Sequence, residues 1–113
     1  MQRRDFMAAA ALAGLAPAWA QAGYPAKPVR MIVPFPPGGP TDVMGRTAAK
    51  AMGDRLGQQF VVENKAGAGG NIGTDAVAKA APDGYTIGLT AISSLAIAPH
   101  LYSSVPFNVE KDF

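Results

Sequence analysis

The side chains that usually carry catalysis are scarce in this chain, which directs attention to its backbone. His100 is the single histidine and follows Pro99, so a Ser/His/Asp arrangement would rest on one loop residue, and a surface or packing histidine is the simpler reading. With no cysteine there is no thiolate nucleophile, no disulfide framework and no Cys-based metal site. Asp42, Glu63, Asp75 and Asp83 stand where helix starts, strand ends and turns ordinarily use acids, and they form no pair suited to acid and base work. What remains is residues 34–46, Pro-Phe-Pro-Pro-Gly-Gly-Pro-Thr-Asp-Val-Met-Gly-Arg, where an apolar strand runs into a Gly/Pro turn that opens a helix. Such a junction leaves several amide N–H groups without partners, with the positive end of the helix dipole behind them. That is an anion site. Pro36, Pro37 and Pro40 fix the path while Gly38 and Gly39 leave their amides open, so the loop is ordered before a ligand arrives. Thr41 is expected at the N-cap with a hydroxyl to donate. Asp42 has three readings: stabilising the helix start, orienting the loop, or receiving a ligand's ammonium group.

A second glycine loop, residues 66–71, invites a dinucleotide reading, which its spacing refuses. A G-x-G-x-x-G run starting at Gly67 needs glycine at position 72, where Ile72 stands, and no acid follows at a convincing strand end about 20 residues on. Gly-Lys-Ser/Thr is absent, so the Walker phosphate loop is excluded as well. No cofactor and no metal site are expected.

These loops must be held by regular elements. Val29, Met31, Ile32, Val33 and Phe35 read as a buried parallel strand. The helix after Thr41 puts Met44, Thr47, Ala48, Ala51, Met52 and Leu56 on one face and stops at Gly57. Gly45 and Gly53 inside it each cost about 1 kcal/mol of helix propensity relative to alanine, which close approach of another backbone would explain. A short strand over residues 60–63 gives way at Asn64 to the second loop. A second helix then starts near Asn71, with Ile72, Ala76, Val77 and Ala80 as its stripe, and ends before Pro82. Pro82-Asp83-Gly84 is a turn, residues 85–90 a third strand, and residues 91–94 a third small-residue turn. A short apolar helical segment runs from there to Ala98, where Pro99 breaks it. Strand, helix, strand, helix, strand is the α/β pattern of a parallel sheet with right-handed crossovers. Ligands of such sheets bind beyond the carboxyl ends of the strands, and all three loops fall on that edge.

At 113 residues the chain is at most one domain. Residues 1–20 read as a signal peptide: Arg3 and Arg4, an apolar stretch too short to span a bilayer, then Ala18-Trp19-Ala20 as a cleavage site before Gln21. The arginine pair resembles the twin-arginine export signal, with Gln2 where that signal has Ser or Thr; an ordinary secretory leader fits the same residues. Part of the formal charge of +2 sits in this leader. The remaining basic residues are spread among acids, a solvated surface and no patch for nucleic acid.

Three runs of residues resemble one family. Val33-Pro34-Phe35-Pro36-Pro37-Gly38-Gly39-Pro40-Thr41-Asp42, then Val62-Glu63-Asn64-Lys65-Ala66-Gly67-Ala68-Gly69-Gly70-Asn71-Ile72-Gly73, then Ala81-Pro82-Asp83-Gly84-Tyr85-Thr86 are similar to the Bug proteins, the extracytoplasmic solute receptors of tripartite tricarboxylate transporters. Pro99-His100-Leu101-Tyr102 and the stretch from Val105 to Phe113 continue the likeness; Ala66 departs from it, standing where the family usually has proline. The resemblance implies a periplasmic-binding-protein-like α/β fold of two lobes closing on a small carboxylate: a mono-, di- or tricarboxylate or an acidic amino acid. It further implies a periplasmic location, integral membrane transporter subunits as partners, a monomer when full length, no cofactor and no catalysis. By position, Phe35, Gly38, Gly39, Thr41 and Asp42 would form the first loop contact, Ala68, Gly69 and Gly70 the second, and Ser93 and Ser94 the third. The family holds its ligand's carboxylate through backbone groups and bridging waters, and no Arg or Lys falls at any of the three loop tips here.

Family members run to about three hundred residues, so residues 21–113 are expected to form the N-terminal part of lobe one, with parallel sheet and flanking helices incomplete. Alone they are expected to bind weakly or not at all and to dissolve poorly, because a half-lobe leaves a sheet edge and a cleft uncovered. Two alternatives stand beside this reading: an exported α/β enzyme using the loops as a backbone oxyanion or phosphate site, and a non-functional truncated remnant.

Overall fold

The computed structural model describes residues 23–113; the expected leader, residues 1–20, lies outside the described residues. Three strands form one parallel sheet in the order β2-β1-β3: β1 (Val29–Val33), β2 (Phe60–Asn64) and β3 (Thr86–Gly88). Val29 pairs with Phe60 and Val33 with Asn64, while Arg30 pairs with Thr86 and Ile32 with Gly88. The central strand is the most apolar of the three and, apart from Arg30, is buried throughout, as expected of a parallel strand covered on both faces. It ends at Val33, two residues short of Phe35, because Pro34 has no N–H to continue the ladder.

Helix α1 (Pro40–Leu56) covers one face and α2 (Asn71–Ala78) the other. The two faces are distinguishable at β1: Gly45 of α1 lies over Val33 and Met31, whereas Val77 of α2 lies over Gly88, the register partner of Ile32. Beneath α1 the core is Val29, Met31, Ala49 and Phe60, with Ala48, Met52, Val62, Tyr85 and Ile87 packed around it.

The buried face of α1 is rotated from the one its apolar residues suggest. Asp42, Gly45 and Ala49 are buried, while Met44 is 64% and Leu56 47% exposed. Gly45 explains the rotation, since a Cβ there would lie 2.8 Å from Val33 Cγ2. The smallest side chains therefore make the contact, and the helix settles closer to the sheet than larger ones would permit. The close neighbour is a side chain at Gly45 and a backbone oxygen, that of Gln58, at Gly53.

Two other expectations are corrected. Thr41 is not the N-cap of α1: Gly39 is, with extended φ and ψ, and Pro40 supplies the first helical residue, since its fixed φ suits that position. Pro99 does not break the third helical segment. A π-helical turn (Ser93–Ile97) runs directly into α3 (Ala98–Leu101), of which Pro99 is the second residue. A last short helix, α4 (Val109–Asp112), is capped by Asn108, whose side chain accepts from the amides of Glu110 and Lys111.

Candidate functional site

Because the sheet is parallel, the segments following β1, β2 and β3 all leave from the same edge, and α1 and α2 both begin there. Neither helix has a side-chain cap at its N-terminus: the N-caps are Gly39 and Gly70. Lacking a carbonyl one turn back, the amides of Thr41 and Asp42 in α1 have no intrahelical partner, and Pro40 offers none. The positive ends of two helix dipoles thus lie at one edge of the sheet.

The first loop is held from within by Asp42, 3% exposed. Its Oδ2 accepts the Gly38 amide at 2.9 Å, and Arg46 Nε donates to both carboxylate oxygens at 3.1 and 3.0 Å. Asn64 Nδ2 donates to Asp42 Oδ1 at 2.9 Å and to the Phe35 carbonyl at 3.0 Å. Asn64 Oδ1 in turn accepts from Arg46 Nη2 at 3.2 Å. The Arg46 guanidinium, with the Gly38 amide and Asn64 amide beside it, holds the Asp42 carboxyl at about 2, below its ordinary 3.8. Both carboxylate oxygens of Asp42 are thus engaged inside the protein, by groups of the first loop, α1 and β2.

The second loop winds through left-handed backbone at Ala68, Gly69 and Gly70, with φ of 49°, 66° and 97°. Two buried hydroxyls hold its carbonyls: Ser94 Oγ donates to Gly69 at 3.3 Å and Thr74 Oγ1 to Gly70 at 2.8 Å. Thr74 also meets Thr90 Oγ1 at 3.0 Å, tying α2 to the segment after β3. Gly70 is where the three loops converge. A Cβ on it would stand 2.8 Å from Ser94 Oγ of the third and 3.2 Å from Phe35 Cζ of the first. Gly73, one turn into α2, lets the first and second loops close together, since a Cβ there would lie 2.5 Å from that of Pro34.

Phe35, Gly69, Gly70 and Ser94 are therefore brought into one cluster. Gly38, Ala68 and Gly69 are exposed, Gly39 and Thr41 half-buried, and Gly70 buried. Ser94 is fully buried, so its hydroxyl serves the loop, whereas Ser93 is exposed. Sequence reasoning missed Asn64, Arg46 and Thr74 as members of the site's scaffold. A signal for Asn64 existed: a carboxamide at a strand end beside a Gly/Pro loop has both donors and an acceptor to spare. Along α2, a recess of about 290 Å³ is lined by Ala68, Asn71, Ile72, Asp75, Tyr102, Ser104 and Pro106, sharing only Ala68 with the candidate residues. No group of three or more metal-ligating side chains occurs among the described residues.

Comparison with known proteins supplies the context for this edge. The profile of the family described as Tripartite tricarboxylate transporter family receptor matches residues 44–113. The chain is 54% identical to BugT of Bordetella pertussis over 103 residues, 90% of this chain and 32% of BugT. Among solved structures it is similar to the periplasmic binding protein BugD, with a TM-score of 0.76 and 49% identity, covering 80% of this chain and 30% of that one. It is also similar to MatC from Rhodopseudomonas palustris with bound malate, with a TM-score of 0.75 and 38% identity over 80% of this chain and 31% of MatC. The chain thus spans about a third of the length of the relatives it matches.

Proposed function

Since the chain belongs to the tripartite tricarboxylate transporter receptor family, we propose that it is part of a periplasmic solute receptor that binds a small carboxylate and passes it to membrane-embedded transporter subunits. The observation that carries this reading is the edge where loops from three parallel strands meet at Gly70, beside two helix starts without side-chain caps. A carboxylate is one of the anions such an edge suits, because its oxygens can take backbone amides without a cationic side chain, and the family's receptors direct the choice among them. Arg46, the nearest guanidinium of the first loop, is engaged with Asp42 and Asn64. In this reading Gly38, Gly39, Thr41, Ala68 and Gly69 offer the ligand contacts. Phe35 bounds them, Ser93 adds an exposed hydroxyl, and Asp42, Gly70 and Ser94 hold the loops in shape. The MatC structure, solved with malate, supports the ligand class.

Isothermal titration calorimetry of the full-length receptor of which this chain forms a part, against malate, succinate, citrate, glutamate, aspartate and nicotinate, tests the proposal. Saturable 1:1 binding of at least one is expected; no heat with any of them overturns the ligand class.

A further inference from the structure

We propose that Asn64 is a positioning residue that sets the shape of the first loop and couples it to the strand from which the second loop departs. The inference rests on the receptor reading for its functional consequence and on hydrogen-bond geometry for its structural one. Asn64 is the last residue of β2, paired in register with Val33, the last of β1. From there its carboxamide crosses to the neighbouring strand's loop and uses every kind of group it has: Nδ2 donates to the Phe35 carbonyl and to Asp42 Oδ1, and Oδ1 accepts from Arg46. No residue with one polar function can replace it, since an acid lacks the two donors and an amine the acceptor.

Two consequences follow for the site. The bond to the Phe35 carbonyl fixes the peptide that carries the Phe35 ring, and that ring stands against Gly70 of the second loop. The bond to Asp42 fixes the carboxylate that holds the Gly38 amide. Both ends of the Pro36-Pro37 turn are thereby referred to one side chain. Asn64 immediately precedes Lys65, whose amide donates to the Val33 carbonyl at 2.9 Å, so the roots of both loops are tied beside the carboxamide.

Asn64→Asp tests this by replacing the donor with an acceptor of the same shape. At neutral pH the new carboxylate faces Asp42 at the distance of the lost hydrogen bond. Close carboxylates cannot both ionise freely, so the pair takes up one proton as the pH falls, and that proton restores a donor between them. The other charged groups near this position are Arg46 from α1 and, flanking it on β2, Glu63 and Lys65; Glu63 pairs with Lys65 and with Arg30 of β1.

In the full-length receptor, Asn64→Asp is expected to weaken malate binding about tenfold at pH 7.5 relative to wild type and to recover part of that loss at pH 5, where one of the two donors is restored. Asn64→Leu is expected to weaken it equally at both. Amide hydrogen exchange at Gly38 is read alongside, with faster exchange in both variants and recovery at pH 5 only in the aspartate. Binding within twofold of wild type, or a loss in Asn64→Asp that ignores pH while Gly38 exchange is unchanged, overturns the proposal. Should wild type bind no carboxylate, the receptor reading fails by itself, and the Gly38 exchange pattern still decides whether Asn64 positions the loop.

Discussion

Asp42 Oδ2 lies 2.9 Å from the Gly38 amide nitrogen, four residues before it in the chain, so one carboxylate ties the start of α1 back onto the turn that precedes it. That contact, with the Arg46 ion pair, makes the first loop sensitive to acid in a definite direction. The folded-state pKa of Asp42 is depressed from 3.8 to about 2. A depressed carboxylate contributes stability that is fully present above its unfolded value and is lost as the pH falls through the folded one. Urea unfolding of the full chain should therefore show stability falling between about pH 4 and pH 2. Asp42→Asn should be less stable at pH 7 and flatter over that acid range. Glu63, held below its usual range chiefly by the Arg30 guanidinium, adds to the slope in both proteins and cannot produce the difference between them.

Replacing Gly70 by alanine should be costly. Its φ of +97° alone disfavours an L side chain by about 1–2 kcal/mol, and the added Cβ meets Ser94 and Phe35. We expect a denaturant midpoint lowered accordingly and carboxylate binding weakened more than stability would require, because both neighbours belong to the proposed site. A change within about 0.5 kcal/mol would show that the convergence of the loops is looser than described.

Gly45→Ala sets two effects against each other. Alanine gains about 1 kcal/mol of helix propensity, but its methyl would stand 2.8 Å from Val33 Cγ2 and 3.4 Å from Leu89 Cδ2. Overpacking of this kind costs about 1–3 kcal/mol, so the variant should be net destabilised despite its better helix former. Thermal unfolding of the full chain is the measurement, and an increase in Tm would mean that α1 lifts from the sheet without penalty.

Adjacent serines should separate cleanly. Ser94→Ala removes a buried hydroxyl from the Gly69 carbonyl, an expected loss of about 1 kcal/mol in chemical denaturation. Ser93→Ala, at an exposed position, should leave stability within about 0.5 kcal/mol of wild type. If Ser93 contributes a hydroxyl to the ligand, its variant weakens malate binding with no change in the denaturation curve. Equal stability losses from the two would contradict their assigned burial.

Much of the fold could be read from the residues because the signals were local. An apolar run closed by prolines gave β1, Gly57 stopped α1 in a left-handed cap with φ of 71°, and three small-residue turns after three strands located the edge. The misses share a physical cause. Periodicity weighs a helix face by the size of its apolar groups, yet α1 packs through Gly45 and Ala49, where closeness of approach matters more than bulk. Thr41 has the hydroxyl that suits a cap, while Pro40, with φ already fixed, takes the first helical position and moves the cap two residues back to Gly39. Asn64 looked like a strand boundary, since its bonds to Phe35 and Asp42 join residues 29 and 22 positions away and no local pattern records them.

The first loop and the second are fastened by different kinds of bond, and these respond differently to dissolved salt. One is drawn in by an ion pair whose arginine stays 54% exposed; the other is held by the uncharged hydroxyls of Ser94 and Thr74. Dissolved ions weaken the first kind and pass over the second. In brine the glycine-rich loop should keep its shape while the proline-rich one relaxes, giving the two sides of one site separate tolerances to the medium.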